Sequence, residues 1–193
     1  MIGCWNKSVI LTYVGLISCV IGITTNNINY AFVCLIVSGV CDLFDGTVAR
    51  MCKRTEQENQ FGIQLDSLND VLCFLAQPIT IFLKMGYTEW YHVAIYILYA
   101  CFGVARLAYF NISTSVENPV KYYTGLPVTL AALIYPLTYT FLRTFDFFNT
   151  LFPFIMLIVS ILFVSKIKIK KPNKILYILL SLLAITVTIL LLV

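Results

Sequence analysis

Apolar residues run along this chain in long stretches, each broken by a few polar or turn-forming positions. Seven stretches are long enough to read as membrane-spanning helices, at about 9–25, 28–50, 62–86, 90–111, 125–143, 148–165 and 174–192. A helix needs about 20 mostly apolar residues to cross the hydrocarbon layer. Asn26-Asn27, Gly86-Tyr87, Pro119, and Asp146 with Asn149 mark the breaks between most of them. The first run follows Lys7, as a signal peptide would. It ends in Thr24, Thr25, Asn26 and Asn27 with no small-x-small cleavage site, so it reads as a retained span. The expectation is an all-α, polytopic membrane helix bundle, with residues 1–193 forming a single transmembrane domain.

Composition agrees with the pattern. Of 193 residues, 60% are hydrophobic and 11% charged, against roughly 45–50% and about 25% in soluble domains. A core of this size cannot hide that excess from water, so it must face lipid. The seven cysteines form no CxxC pair and lie mostly in apolar runs. They read as small buried hydrophobes and imply no disulfide framework.

Charge adds an orientation. With the N-terminus in the cytoplasm, Lys7, Arg50, Lys53, Arg54, Arg106, Lys121, Lys166, Lys168, Lys170, Lys171 and Lys174 fall on or near the inner side. Lys84 and Arg143 fall outside. This is the positive-inside bias, and it accounts for the net charge of +4 without a nucleic-acid partner. The basic run from Lys166 to Lys174 reads as a topology signal, with attraction to anionic headgroups as its functional version. Trp5, Trp90 and Tyr91 sit where interfacial anchors belong. His92, the single histidine, has no ligand or base pattern around it, and no catalytic role is expected of it.

One region breaks the apolar pattern at high energetic cost. Asp42-Leu-Phe-Asp45-Gly46-Thr-Val-Ala49-Arg50 closes the second span, and Gly62-Ile-Gln-Leu-Asp66-Ser67-Leu-Asn69-Asp70 opens the third after a polar loop. A charge at membrane depth costs about 2.5–3.5 kcal/mol on insertion scales, so such groups are functional by default. Spacings of three and four put each aspartate pair on one helix face. The short loop makes the two helices antiparallel neighbours, so the pairs can converge. Converging carboxylates repel one another, and hard divalent cations such as Mg²⁺, Mn²⁺ or Ca²⁺ relieve that. Zinc does not suit a site with no His or Cys cluster. Gly46, Ala49 and Gly62 would let a nucleotide or a helix approach the backbone. Arg50 offers a planar donor set for phosphate. Helix capping explains one aspartate, not four at these spacings.

This string resembles the signature of the CDP-alcohol phosphotransferase family, D-x2-D-G-x2-A-R followed by G-x3-D-x3-D. All eight fixed positions are present: Asp42, Asp45, Gly46, Ala49, Arg50, Gly62, Asp66 and Asp70. The intervening gap is slightly longer than the commonest one. Within the family the chain is most similar to the phosphatidylserine synthase branch, at DSLNDVLCF (66–74) with Pro78, ARLAYFN (105–111), GLP (125–127) and VSKIK (164–168). It departs from that branch at Tyr109, where a second basic residue is common, and at Cys73 and Leu75, where Ser and Gly are.

The resemblance implies a six-span catalytic core, here with one or two further C-terminal spans, in a homodimer with a cavity open to the cytoplasm and to lipid. It implies CDP-diacylglycerol, or an ether analogue, as donor and L-serine as acceptor. Two divalent ions, Mg²⁺ or Mn²⁺, are implied, with Ca²⁺ as a non-productive occupant. Asp42, Asp45 and Asp66 become metal ligands, and Asp70 becomes a shared ligand and the general base. Gly46, Ala49, Arg50 and Gly62 become the nucleotide pocket, with Ser67 alongside. Arg106, Asn111, Lys121 and Lys168 become candidates for reading the serine. A prokaryotic plasma membrane fits the short loops. Two other readings remain open at this point: a sister enzyme using glycerol 3-phosphate or inositol phosphate, and a divalent-cation transporter, which would place its acids near mid-bilayer on broken helices. Acids that only stabilise assembly would leave their spacing unexplained.

Overall fold

The structure, a computed structural model, describes residue 3 and residues 9–114, 122–170 and 174–193. Its elements in chain order are α1 (Ile10–Thr24), α2 (Ile28–Met51), α3 (Glu56–Asp70), a π-helical segment (Val71–Ala76), α4 (Gln77–Lys84), α5 (Trp90–Thr114), β1 (Tyr122–Thr124), a 3-10 turn (Val128–Leu130), α6 (Ala131–Leu142), α7 (Phe148–Val164), β2 (Lys168–Lys170) and α8 (Lys174–Leu192). The chain is thus an all-helical bundle with one small addition, an antiparallel ladder pairing Tyr122 with Lys170 and Thr124 with Lys168. Among the described residues, three helices are long and apolar enough to cross a membrane: Ile28–Met51, Trp90–Ser113 and Ile175–Leu192. Ile10–Thr24, Val128–Leu142 and Phe148–Val164 are apolar and shorter.

Helix ends follow local chemistry. Asn27 caps α2, its Oδ1 accepting from the Tyr30 amide at 3.2 Å. Gly86, at φ +91°, makes the turn after α4, and Asn149 falls inside α7 rather than in the loop before it. Lys84 donates to the carbonyl of Ile23 and, at 2.6 Å, to that of Thr25. An ammonium there satisfies carbonyls that the end of α1 leaves without helical partners. The expected break at Pro119 lies outside the described residues, as does Trp5.

The third helix departs from expectation at both its start and its middle. It begins at Glu56, not 62, because Thr55 and Glu58 form a capping box: Thr55 Oγ1 accepts from the Glu58 amide at 3.3 Å, and Glu58 Oε2 accepts from the Thr55 amide at 2.8 Å. The second half of what hydropathy reads as a polar loop, from Glu56 on, is therefore the start of α3. From Asp70 the helix runs without interruption through the π segment into α4, with the Gln77 amide bonding five residues back to Leu72. Pro78 has no amide proton for the carbonyl four residues earlier. That carbonyl, of Phe74, accepts instead from the Tyr99 hydroxyl at 2.7 Å.

Close helix approach rests on small residues. An ideal Cβ on Gly39 would stand 2.5 Å from Ala132 Cβ, and one on Gly22 would stand 2.2 Å from Gln77 Nε2. The fully buried Gln77 reaches past Gly22 to donate to the Ala31 carbonyl at 3.2 Å. Aromatic rings fill the end of the bundle away from the aspartates, with Phe82 stacked on Phe152 at 4.5 Å and Tyr135 edge-on to Phe82. Phe32 in this cluster lies ten residues before Asp42 on α2, about 15 Å along the helix axis. The packed aromatic end thereby holds the helices that carry the acids.

Candidate active site

The two aspartate pairs meet. Single carboxylate oxygens of Asp42, Asp45 and Asp66 lie within 4.8 Å of one another. Asp70, one turn beyond Asp66, lies against Asp42 and is buried at 7% exposure. Thr12, on α1, donates to Asp45 Oδ2 at 3.2 Å. At such distances like charges repel by roughly 4 kcal/mol per pair at an effective dielectric constant of about 20. The side chains that would surround a cation are present: Asp66 Oδ1 and Asp70 Oδ1 are buried with no hydrogen-bond partner among the described residues. An oxygen-only donor set suits Mg²⁺ or Mn²⁺ rather than a soft metal. The cluster fits divalent cations.

A cavity of about 200 Å³ opens beside it, lined by Thr12, Asp45, Gly46, Ala49, Arg50 and Arg54, with Asn59, Gly62 and Asp66 closing its other wall. Gly46 leaves this space open, since the nearest atom to an ideal Cβ there is Arg50 Nη1 at 3.7 Å. Gly62 works differently. A Cβ on it would sit 3.2 Å from Arg54 Nη1, so its lack of a side chain makes room for a guanidinium rather than for a ligand directly. Arg50 Nη2 donates to Thr47 Oγ1 at 3.1 Å. Two arginines and an acidic cluster facing one cavity make a place for a phosphate-bearing ligand with its cations.

On the far side of Asp66 lies a second, wider cavity lined by Gln57, Gln60, Gln64, Ser67, Phe110 and Asn111. Asn111 Nδ2 donates to Ser67 Oγ at 2.8 Å, joining α5 to α3. Arg106 is buried at 7% exposure, stacks over Phe110 at 5.0 Å, and is near enough for its charge to act on Asp42. Lys168 does not join these residues: it is exposed, in β2 of the ladder, and lines neither cavity. Lys121 lies outside the described residues. Three polar residues that line the first cavity are not among the sequence candidates. Arg54 and Asn59 sit between the two motif halves, where their polarity reads as loop or topology. Thr12 sits in an apolar helix with no signal at all.

An all-helical membrane bundle with an oxygen-only acidic cluster beside paired arginines is the class these features define. The chain belongs to the CDP-alcohol phosphatidyltransferase family, whose model matches residues 6–165. Its relatives include a protein of Helicobacter pylori named CDP-diacylglycerol–serine O-phosphatidyltransferase, 34% identical over 140 residues, or 69% of this chain and 57% of that protein. A Saccharomyces cerevisiae protein of the same name is 35% identical over 112 residues, 54% of this chain and 40% of its own length. One from Methanocaldococcus jannaschii, also of that name, is 29% identical over 164 residues, 84% of this chain and 75% of its own. The chain thus spans little more than half the length of the Helicobacter pylori protein.

Proposed function

We propose that this protein transfers the phosphatidyl group of CDP-diacylglycerol to the hydroxyl of L-serine, giving phosphatidylserine and CMP. The observation that carries the reading is the convergence of Asp42, Asp45 and Asp66 beside a cavity lined by Arg50 and Arg54. The names of the relatives support serine as the acceptor. So does the second cavity, whose polar lining, Asp66 apart, is uncharged and better matched to a neutral zwitterion than to a sugar phosphate.

Two divalent ions, Mg²⁺ or Mn²⁺ with Ca²⁺ as a non-productive occupant, would be held by Asp42, Asp45 and Asp66, with Asp70 sharing. Bound there, they would neutralise the diphosphate and stabilise charge on the transferring phosphoryl group. The protein's own residues do the rest. Arg50 and Arg54 hold the CDP moiety in the cavity left open by Gly46, Ala49 and Gly62. Ser67 and Asn111, with Arg106 behind them, orient the acceptor. Asp70 takes the proton of the serine hydroxyl as its oxygen attacks the lipid-linked phosphorus. The bond from that phosphorus to the bridging oxygen breaks, and CMP leaves.

In this reading residues 1–193 act as one transmembrane catalytic domain. It is multi-pass in a prokaryotic plasma membrane, with the site facing the cytoplasm, and works as a homodimer. The test is CMP release by purified protein in detergent with CDP-diacylglycerol and Mn²⁺ or Mg²⁺, comparing L-serine, glycerol 3-phosphate and inositol phosphate. Release with serine alone, abolished by chelator, is the expected result. Release with another acceptor alone would overturn the substrate.

A further inference from the structure

One backbone carbonyl gathers three helical elements beside the acidic cluster. The oxygen of Gly15, on α1, accepts from Ser38 Oγ of α2 at 2.9 Å. A serine inside a helix ordinarily bonds the carbonyl four residues back, and that of Cys34 lies slightly farther, at 3.1 Å. Cys73, in the π-helical segment, brings its Sγ to 3.8 Å from the same Gly15 oxygen and to 3.3 Å from Asn69 Oδ1 of α3. Ser38 and Cys73 are fully buried, and Asn69 nearly so. Gly15 admits these partners because it has no side chain: an ideal Cβ there would stand 3.2 Å from Cys41 Cβ and 3.8 Å from Asn69 Nδ2.

The junction repeats the site helix by helix. On α1, Gly15 lies three residues from Thr12, which donates to Asp45. On α2, Ser38 lies four residues from Asp42. On the third rod, Asn69 lies three residues from Asp66, and Cys73 three from Asp70. Three or four residues make one turn, about 5 Å along the axis, and keep to one face. In every case the step runs toward the middle of the bundle. The elements that present the carboxylates are therefore tied together one turn deeper, where low polarity strengthens a hydrogen bond and makes an unpaired group costly.

We infer that Ser38 and Cys73 are positioning residues, which hold the Asp42–Asp45 pair at a set distance from the Asp66–Asp70 pair by joining their helices at Gly15. The inference rests on the proposed use of the cluster as a cation site. Carboxylates on separate helices repel one another, so the cluster itself does not draw the helices to ligand spacing. A junction outside it does. Groups behind a metal's ligands orient them, and losing one typically weakens metal binding about tenfold or more.

The test is Mn²⁺ binding by the purified protein in detergent, read from the electron paramagnetic resonance signal of the free ion. Ser38→Ala should weaken binding about tenfold, and the rise in melting temperature on adding Mn²⁺ should shrink in step. Cys73→Ala should shift binding in the same direction, whereas Cys73→Ser, which keeps a donor, should bind as the parent protein does. Ser18→Ala is the control for plain packing. Ser18 also ties α1 to α2, donating to the Cys34 carbonyl at 3.0 Å, but it lies farther from the aspartates. It should lower the metal-free melting temperature and leave Mn²⁺ affinity in place. Unchanged affinity in Ser38→Ala, an equal loss in Ser18→Ala, or Cys73→Ser as weak as Cys73→Ala would overturn the proposal. Should Ser38→Ala fail to fold, the two Cys73 variants decide it. If Mn²⁺ binding weakens as expected while the parent protein releases CMP with no acceptor, the proposed reaction fails and the junction stands.

Discussion

Thr12 of α1 donates a 3.2 Å hydrogen bond to Asp45 of α2, so the first helix of the bundle holds the orientation of a carboxylate of the acidic cluster. Hydrogen bonds to charged groups contribute about 1.5–3 kcal/mol. Thr12→Val keeps the side chain's shape and removes the donor. We expect the Mn²⁺ concentration for half-maximal CMP release to rise roughly tenfold, which is 1.4 kcal/mol, with little change in thermal stability. An unchanged metal dependence would show that Asp45 needs no such support.

Asp70→Asn should abolish turnover while leaving CDP-lipid binding largely intact, because the amide keeps the shape of the side chain and cannot take a proton. Asp45→Asn should differ by weakening metal binding itself. Equilibrium binding of a labelled CDP-lipid, with and without metal, separates the two. Lost binding in Asp70→Asn, with turnover retained per bound lipid, would reassign the base.

Arg54 reaches the cavity over Gly62. Arg54→Met should raise the KM for the CDP-lipid by about tenfold, the scale of one charge-assisted hydrogen bond, and leave the KM for serine in place. Gly62→Ala should do the same more mildly by displacing the guanidinium. A change in serine KM instead would move Arg54 to the acceptor side.

Gly22→Ala probes packing away from the chemistry. The added methyl would meet Gln77 Nε2 at 2.2 Å and Cys34 Cβ at 2.8 Å. Overpacking of this kind costs about 1–3 kcal/mol, so the melting temperature in detergent should fall by several degrees. Gly46→Ala meets nothing closer than 3.7 Å and should leave stability unchanged while obstructing the nucleotide cavity. Equal melting temperatures for the two variants would refute the packing assignment.

The positions of the helices were legible because lipid-facing and buried segments are both apolar, and the run ends mark where polarity returns. α1, α2, α7 and α8 start and stop within a residue or two of the hydropathy limits. The aspartates were legible for a related reason: acids are costly in such surroundings, and spacings of three and four fix their faces. The start of α3 was harder, because a capped polar helix and a polar loop share the same hydropathy. The sequence Thr55-Glu56-Gln57-Glu58 carries the capping signal that distinguishes them. The ladder of Tyr122–Thr124 with Lys168–Lys170 depends on contacts across more than forty residues, which periodicity does not carry. Thr12 was silent because one hydroxyl in an apolar helix gives no hint of a partner on the next helix.

The wide turn at Val71–Ala76 has a consequence for the rod that carries Asp66 and Asp70 at one end and Gln77, Ile81 and Phe82 at the other. Each residue advances an α-helix by about 100°, and a π insertion adds one residue to the ladder. The turn therefore resets the angular phase of a single rod partway along its length. Deleting one residue there would leave both halves helical and swing one relative to the other. Either Asp66 and Asp70 would leave the acidic cluster, or Gln77 would lose its place behind Gly22. One continuous helix thus serves two differently aimed surfaces, and the offset between them resides in the six residues Val71–Ala76 that join them.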